Sequence, residues 1–334
     1  MFIIVSFAFL IQLVSSLSQD DIVNYVNRNR EQGKSTWEAK KYPFSYPDSN
    51  FDHAIDRFPV KENSEFGFLT NLYQSNFRRT FLEVPDIFDA RFKWSHCDTV
   101  WEIYDQGNCG SCWAVAVASA ISDRICIKHP NNGSVRISAQ TALNCIGEGC
   151  SSGNDPFSVW EYWVQHGLPT GGRFGDKKSC QPYRIPGKEA TAAHFLSSIL
   201  PSFFDNKSCP TRCILQYHKS FKNDLYFGSR AYKLPSLNTR LMKLDIMLNG
   251  PVVSVVRMSE DLRSYKSGIY HHQIGNSSRY HAVKILGWGK ENGTDYWICA
   301  NSWGRYWGEK GFFRIRRGVN EALIETRISG GISV

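Results

Sequence analysis

The sequence predicts an α+β fold in which a helical lobe precedes a lobe built on a β-sheet, with a cleft between the two. The first half of the cysteine-rich region contains two helix-like runs rich in apolar residues, at 113–121 and 156–163. The second half contains short β-rich runs bounded by Gly, Pro or Asn, at 250–257, 281–286, 295–300 and 311–316. Helices followed by strands indicate segregated layers rather than alternating βαβ units.

Changes in composition along the chain predict three segments. Residues 2–14 form an apolar run too short to cross a bilayer and are followed by small residues, which predicts a signal peptide over 1–18. Residues 19–82 lack cysteine and predict a removable pro-segment, with a short helix over 20–27 and an extended strap after it. Residues 83–334 predict the mature domain, with the helical lobe at about 95–229 and the β lobe at about 83–94 and 230–334.

The composition argues against a nucleic-acid-binding protein and against a membrane-spanning one. The formal net charge of +8 is spread over 334 residues rather than gathered in a basic arm, so nucleic acid is not an expected partner. Beyond the N-terminal run no stretch is apolar enough for a membrane span. A hydrophobic content of 42% is ample for a packed core, and we expect a monomer.

Ten cysteines in an exported chain indicate disulfides. If Cys112 stays a thiol, parity leaves at least one more cysteine unpaired, and Cys299, in an apolar run, is expected to be a buried, inert thiol. Zinc is the alternative for the close cysteine pairs, but an oxidising compartment and the absence of nearby paired histidines disfavour it. We therefore expect no metal and no cofactor. Four sequons are compatible with a secreted glycoprotein, at Asn132, Asn206, Asn276 and Asn292.

The chemistry is concentrated in the run 106–113, which places Cys112 at the mouth of an apolar helix. Unpaired amide donors and the helix dipole favour a thiolate there. A thiol nucleophile also needs a base, and the base needs a group that orients it. His281 precedes one apolar strand and Asn301 follows another, in the order Cys, His, Asn. The interval from Cys112 to His281 exceeds the usual spacing, which predicts an insertion within 180–213.

The phrase 109–113 fits the nucleophile pattern of papain and the cathepsins. Together with matching phrases at 22–27, 88–91, 121–126, 285–289 and 311–313, it makes the chain resemble papain-like cysteine peptidases of the cathepsin B kind. The resemblance implies a papain-like two-lobe fold, with a helical left lobe, a β-barrel-like right lobe and the active-site cleft between them.

The resemblance also implies roles for single residues. Cys112 would be the nucleophile, with His281 as its ion-pair partner and general acid. Asn301 would orient the imidazole, and Trp303 would shield that hydrogen bond from water. Gln106 would join the Cys112 amide in the oxyanion hole. The implied disulfides are Cys97–Cys126, Cys109–Cys150, Cys145–Cys209 and Cys180–Cys213, whereas the residues alone leave the pairing open.

The function implied is a secreted or lysosomal cysteine endopeptidase, made as a zymogen, that hydrolyses peptide bonds through a Cys112 thioester. Expected partners are protein or peptide substrates, the chain's own pro-segment as inhibitor, and cystatin-type inhibitors. The alternative is a catalytically impaired papain-like binding protein, and a disulfide-stapled structural protein is a weaker one. Peptide ligation would use the same residues. An intact nucleophile, base, orienting amide and oxyanion donor count against loss of activity.

Four departures from the cathepsin B pattern fall in the expected substrate cleft. The region 186–204 lacks the paired histidines and two cysteines of the loop that binds a substrate carboxylate, and only His194 remains. This predicts weakened carboxydipeptidase activity with endopeptidase activity dominant. In the segment that pairs with the substrate backbone, Ser152 replaces a glycine, whereas Gly153 keeps one. Directly before His281, Arg279 and Tyr280 replace two glycines and add bulk. Arg327 matches the position at which cathepsin B has a glutamate, at the floor of the pocket for the second residue before the scissile bond. That glutamate tolerates an arginine of the substrate. The reversed charge predicts poor cleavage of Arg-Arg substrates and better acceptance of apolar or acidic side chains. The expected substrate-binding residues are Ser152, Gly153, Tyr280, Trp303 and Arg327.

Overall fold

A computed structural model describes residues 17–43, 83–147, 149–151, 153–190, 193, 196 and 208–334. The α-helices in these ranges are α1 Gln19–Glu31, α2 Ala90–Lys93, α3 Cys112–Lys128, α4 Ala139–Ile146, α5 Pro156–His166, α6 Thr239–Asn249 and α7 Glu260–Arg263. The strands are β1 Trp37–Ala39, β2 Phe88–Asp89, β3 Gly228–Leu234, β4 Val252–Ser259, β5 Tyr265–Tyr270, β6 Ser277–Glu291, β7 Thr294–Ala300, β8 Phe312–Arg316 and β9 Ile328–Ser333.

Helix α3 is the centre of the helical lobe. Every residue from Cys112 to Cys126 is buried, as expected for a helix that is apolar on most faces. It packs against α4 and α5 on one side and against β6 on another. The carboxylate of Asp155 caps α5 by accepting the Phe157 N–H, with Pro156 in the first turn. Both helices predicted for this region are confirmed.

In the described part of the chain, one sheet runs β1-β5-β8-β7-β6-β4-β9-β3, and β2 pairs with β6. The long strand β6 lies between β7 and β4, antiparallel to both. This register sets His281 opposite Val256 and Lys284 opposite Ala300. The four predicted β-rich runs correspond to β4, β6, β7 and β8, so the predicted α+β class is confirmed.

Two apolar clusters lie on either side of the junction between the lobes. One surrounds the sheet and the other surrounds α3, and the latter takes in Val253 and Val255 of β4. Arg124 of α3 crosses the junction: its guanidinium donates to Asp245 Oδ2 at 2.8 Å and to the Gly331 carbonyl at 2.7 Å. Both members of this ion pair are fully buried, so the lobes are joined by a desolvated charge pair as well as by apolar contact.

The N-terminal segment is docked on the edge of the sheet. Helix α1 begins with a capping box formed by Ser18 and Asp21 and extends the predicted helix toward Glu31. Strand β1 then pairs antiparallel with β5, with Trp37 opposite Gly268. A Cβ at Gly268 would collide with the backbone of Thr36 and Trp37, so only glycine allows this close approach.

Four disulfides link the described residues, in the pairs that the resemblance implies: Cys97–Cys126, Cys109–Cys150, Cys145–Cys209 and Cys180–Cys213. Cys112 and Cys299 are buried and lie outside these bonds. Burial raises the pKa of Cys299 well above its usual value, which keeps this thiol neutral. Within the ranges described, no helix combines the length and apolar character that crossing a bilayer demands.

Candidate active site

Cys112 is the first residue of α3 and is fully buried. The loop before it is fixed to the neighbouring segment by the Cys109–Cys150 disulfide and by the bond from Gly110 N–H to the Cys150 carbonyl, at 3.0 Å. The N-cap residue Ser111 makes no side-chain cap bond. The positive end of the helix dipole at this position favours a thiolate.

His281 and Asn301 come from neighbouring strands. His281 lies in β6 and Asn301 directly follows β7, and His281 Nε2 lies 2.8 Å from Asn301 Oδ1. The same Oδ1 accepts the N–H of Ser302 at 2.7 Å, which identifies it as the acceptor atom of the amide. Nε2 therefore carries the proton that Asn301 accepts, and Nδ1 is the ring nitrogen left for chemistry. Because α3 packs against β6, the helix that begins at Cys112 lies next to the strand that carries this imidazole.

The side chain of His281 is buried from solvent. Trp303 lies against the ring at 4.9 Å between centroids, and both side chains are buried. Burial lowers the pKa of His281 to about 4, against the opposing effect of the bond to Asn301. An imidazolium at this position therefore needs a compensating negative charge beside it.

Gln106 is held by Ser302, the residue that follows Asn301. Gln106 N–H donates to the Ser302 carbonyl at 2.8 Å, and Ser302 Oγ donates to Gln106 Oε1 at 2.5 Å. Gln106 Nε2 donates to the Cys109 carbonyl at 2.7 Å. A carboxamide nitrogen has two protons, so one remains to donate to a ligand. Sequence reasoning missed Ser302, although its place next to Asn301 was a usable signal.

One groove is lined by Arg327, whose guanidinium reaches the residue before His281. The Arg327 guanidinium lies over the Tyr280 ring at 5.5 Å, so two of the expected substrate-binding residues are in contact. Lys233 forms a 3.4 Å ion pair with Asp155 in the same groove. Sequence reasoning missed Lys233 and Asp155, because they come from distant stretches with no shared pattern.

The remaining expected residues lie partly beyond the described ranges. Gly153 is buried and follows the short helical turn Gly149–Ser151, whose Cys150 is bonded to Cys109. Ser152 and His194 are outside the described residues, as is most of the region 191–207. Arg279 lies in β6 next to Tyr280, opposite Met258.

Comparison with known proteins places this geometry in a family. Residues 84–332 match the family described as papain family cysteine protease. Cathepsin B-like cysteine proteinase 1 of Ostertagia ostertagi is 42% identical over 254 residues, covering 75% of this chain and 73% of that protein. The cathepsin B-like cysteine proteinase of Schistosoma japonicum is 34% identical over 335 residues, covering 96% and 92%. Among solved structures, proCathepsin B S9 from Trypanosoma congolense is similar with a TM-score of 0.70 and 32% identity, covering 93% of this chain and 98% of that one.

The family match extends over both lobes and includes Gln106, Cys112, His281 and Asn301. The similarity to the Schistosoma protein extends over almost the whole chain. The chain therefore belongs to the papain family of cysteine proteases, and within that family it is cathepsin B-like.

Proposed function

We propose that this chain is the zymogen of a secreted or lysosomal cysteine endopeptidase that cleaves peptide bonds through a thioester on Cys112. The observation that carries the proposal is the fixed imidazole of His281. Its Nε2 is engaged by Asn301, whose amide is itself oriented by the Ser302 N–H, and its Nδ1 is left for proton transfer. A thiol at the start of a helix supplies the nucleophile that such a base requires.

In the proposed reaction the Cys112 thiolate attacks the peptide carbonyl carbon, and the carbonyl oxygen becomes an oxyanion. The Cys112 N–H and the remaining Nε2 proton of Gln106 donate to that oxygen. The His281 imidazolium gives its Nδ1 proton to the leaving amine, which leaves a thioester and a neutral imidazole. The imidazole then takes a proton from water as the water attacks the thioester, and the acid product leaves. The thiolate also supplies the negative charge that a buried imidazolium needs.

We propose residues 1–18 as a signal peptide, 19–82 as an inhibitory pro-segment and 83–334 as the mature enzyme. Two findings support the last boundary: the family match begins at residue 84, and β1 docks as an added strand at the sheet edge. The similarity to a procathepsin B over almost the full length of both chains supports an inhibitory role for the segment. We expect cystatin-type proteins as further inhibitors and a monomeric enzyme.

The groove at Arg327 suggests which side chains the enzyme accepts. Two cations, Lys233 and Arg327, line it, and Asp155 pairs with Lys233. An arginine of the substrate would meet Arg327 as a like charge, whereas a carboxylate or an apolar group would not. We therefore propose that the groove binds the second residue before the scissile bond. At this subsite the enzyme accepts apolar or acidic side chains, and it cleaves poorly after Arg-Arg.

We further propose that endopeptidase activity exceeds carboxydipeptidase activity, because the region 186–204 lacks the paired histidines and two loop cysteines of the cathepsin B pattern. The comparison uses one peptide with a free C-terminal carboxylate and the same peptide with that group amidated. We expect the amidated peptide to be cleaved at least as fast. A strong preference for the free acid would contradict this part of the proposal.

The general proposal is tested with the full chain after acid treatment, using a fluorogenic peptide amide. We expect turnover that disappears in Cys112→Ala and survives in Cys299→Ala, a matched control at the other cysteine outside the disulfides. Binding of peptide without turnover by the wild type, after confirmed removal of the pro-segment, would instead favour a catalytically impaired binding protein.

A further inference from the structure

The hydroxyl of Tyr183 joins two parts of the loop that leads to Cys112. Its oxygen lies 2.5 Å from Ser111 Oγ and 3.0 Å from the Gln106 carbonyl, and the side chain is buried. A phenol has one proton. Donation to the Gln106 carbonyl therefore requires Tyr183 to accept the proton of Ser111. The buried Tyr183 hydroxyl thus contacts both Gln106, whose side chain carries Nε2, and Ser111, which directly precedes Cys112.

The contact with Tyr183 also concerns the N-cap of α3, because Ser111 is the N-cap residue. A serine at the N-cap commonly accepts an N–H of the first helical turn through its side chain. Ser111 makes no such bond, although its backbone carbonyl accepts the N–H groups of Ala114 and Val115, as an N-cap carbonyl ordinarily does. Its hydroxyl is committed to Tyr183. The bond to Tyr183 therefore occupies the hydroxyl that could otherwise accept an N–H of the first turn of α3.

The chain around Tyr183 is itself firmly held against the same loop. The Lys188 N–H donates to Asp105 Oδ2 at 2.8 Å, and the Gly107 N–H donates to Asp105 Oδ1 at 2.9 Å. The Pro186 carbonyl fills the space that a Cβ at Gly107 would need. The Cys180–Cys213 disulfide anchors this segment just before Tyr183. Residues 183–188 are therefore hydrogen-bonded to the loop 105–111 and packed closely against it.

We infer that Tyr183 is a positioning residue that fixes the separation of the two oxyanion donors, Gln106 Nε2 and the Cys112 N–H. The inference rests on the proposed function, because it concerns the same oxyanion hole. Transition-state stabilisation by such donors depends steeply on where they point, so loosening the support costs turnover rather than substrate binding. Tyr183 touches neither substrate nor thiol in this account.

The test is kinetic and uses the acid-activated full chain with a fluorogenic peptide amide. Tyr183→Phe removes both hydrogen bonds and keeps the ring. We expect kcat to fall about tenfold and KM to stay within about twofold, since a donor removed outright costs about 10²–10³ in kcat. Alkylation of Cys112 by iodoacetamide needs no oxyanion hole, so its rate should stay within about twofold of wild type. Tyr217→Phe removes a comparable tyrosine bond, to Asp224, and serves as a matched control that should leave kcat unchanged.

A double variant separates positioning from a general structural effect. If Tyr183 acts through Gln106, adding Tyr183→Phe to Gln106→Ala should lower kcat by no more than about threefold beyond Gln106→Ala alone. Ser111→Ala is a second route to the same contact, and we expect a smaller fall of the same kind. An unchanged kcat in Tyr183→Phe, an equal fall in the alkylation rate, or fully multiplicative losses would each overturn the inference. A wild type that never hydrolyses the amide would instead refute the proposed function.

Discussion

Two hydrogen bonds to Asn301 Oδ1 fix the orientation of the His281 ring. Asn301 Oδ1 accepts from both Nε2 and the Ser302 N–H, so the amide cannot reverse without losing a bond. The buried Trp303 ring beside the imidazole keeps water from competing for this contact. The orientation of the His281 imidazole is thus set by Asn301 and Ser302, which are adjacent in the sequence.

Replacement of Asn301 by alanine should remove this orientation while leaving the nucleophile in place. We expect kcat for a peptide amide to fall about 10²-fold, a cost typical of a misplaced catalytic group. Asn238→Ala, at the N-cap of α6, is the control for loss of an asparagine bond, to the Leu241 N–H, and should leave kcat unchanged. Wild-type kcat in Asn301→Ala would show that the base needs no such partner.

Charge at position 327 should decide the preference of the groove. We expect Arg327→Glu to raise cleavage after Arg-Arg relative to cleavage after an acidic or apolar residue at the same subsite, because the like charge becomes an opposite one. The measurement is the ratio of kcat/KM for paired substrates that differ only at that position. A wild type that turns over the Arg-Arg substrate equally well or better would contradict this assignment.

At the scale of elements, the three-residue strand β1 was beyond prediction, whereas α3 and β4 were predicted. Long apolar runs carry their own signal, but three residues have no measurable period. The pairing of β1 with β5 depends on Gly268, which lies far along the sequence. Tyr183 and Lys233 were missed for the same reason: their roles arise from contacts between distant segments. Cys112 and Gln106 could be assigned predicted roles from the sequence because both lie in the run 106–113.

Gly268→Ala should weaken the docking of the N-terminal segment. The added methyl group collides with backbone of Thr36 and Trp37, and the residue has a φ of +97° that alanine rarely adopts. In a Cys112→Ala background, which prevents self-cleavage, we expect faster hydrogen exchange of the β1 amides. Gly318→Ala, also at positive φ but in open space, controls for backbone strain alone. Equal protection of β1 in Gly268→Ala would contradict the assigned contact.

Acid should loosen the same segment through Glu38. A hydrogen bond from Lys266 lowers the pKa of Glu38 below its usual 4.5, and Arg30 adds to the effect. A lowered pKa means that the docked state gains stability above about pH 4.5 and loses it as the pH falls through the folded-state value. In the Cys112→Ala background, Glu38→Gln should show weaker β1 protection at pH 6 and a smaller change on acidification. Asp20→Asn, in an exposed pair with Lys41, should behave like the parent, and an unchanged pH profile in Glu38→Gln would refute the role of this pair.

At the scale of the whole molecule, the cleft depends on how the two lobes are held together. Arg124 links α3 to the β lobe through Asp245 and the Gly331 carbonyl. Because both charged side chains are buried, solvent cannot compensate either charge if its partner is removed. We expect Arg124→Ala to lower the free energy of unfolding by about 3–5 kcal/mol, the usual cost of breaking a buried pair. Urea denaturation in the Cys112→Ala background measures it. As a control, Arg240→Ala at an exposed position should change the free energy of unfolding by less than about 0.5 kcal/mol. A loss below about 1 kcal/mol in Arg124→Ala would show that the buried pair does not hold the lobes together.

We propose that Cys112 is an activated nucleophile whose base is His281. The most direct test labels the acid-activated, mildly reduced protein with an epoxysuccinyl peptide and locates the adduct by mass spectrometry. We predict a single adduct on Cys112 that is absent in His281→Ala, with Cys299 unlabelled because its raised pKa keeps it a neutral thiol. An unlabelled Cys112 after confirmed removal of the pro-segment, or labelling that persists in His281→Ala, would contradict the claim.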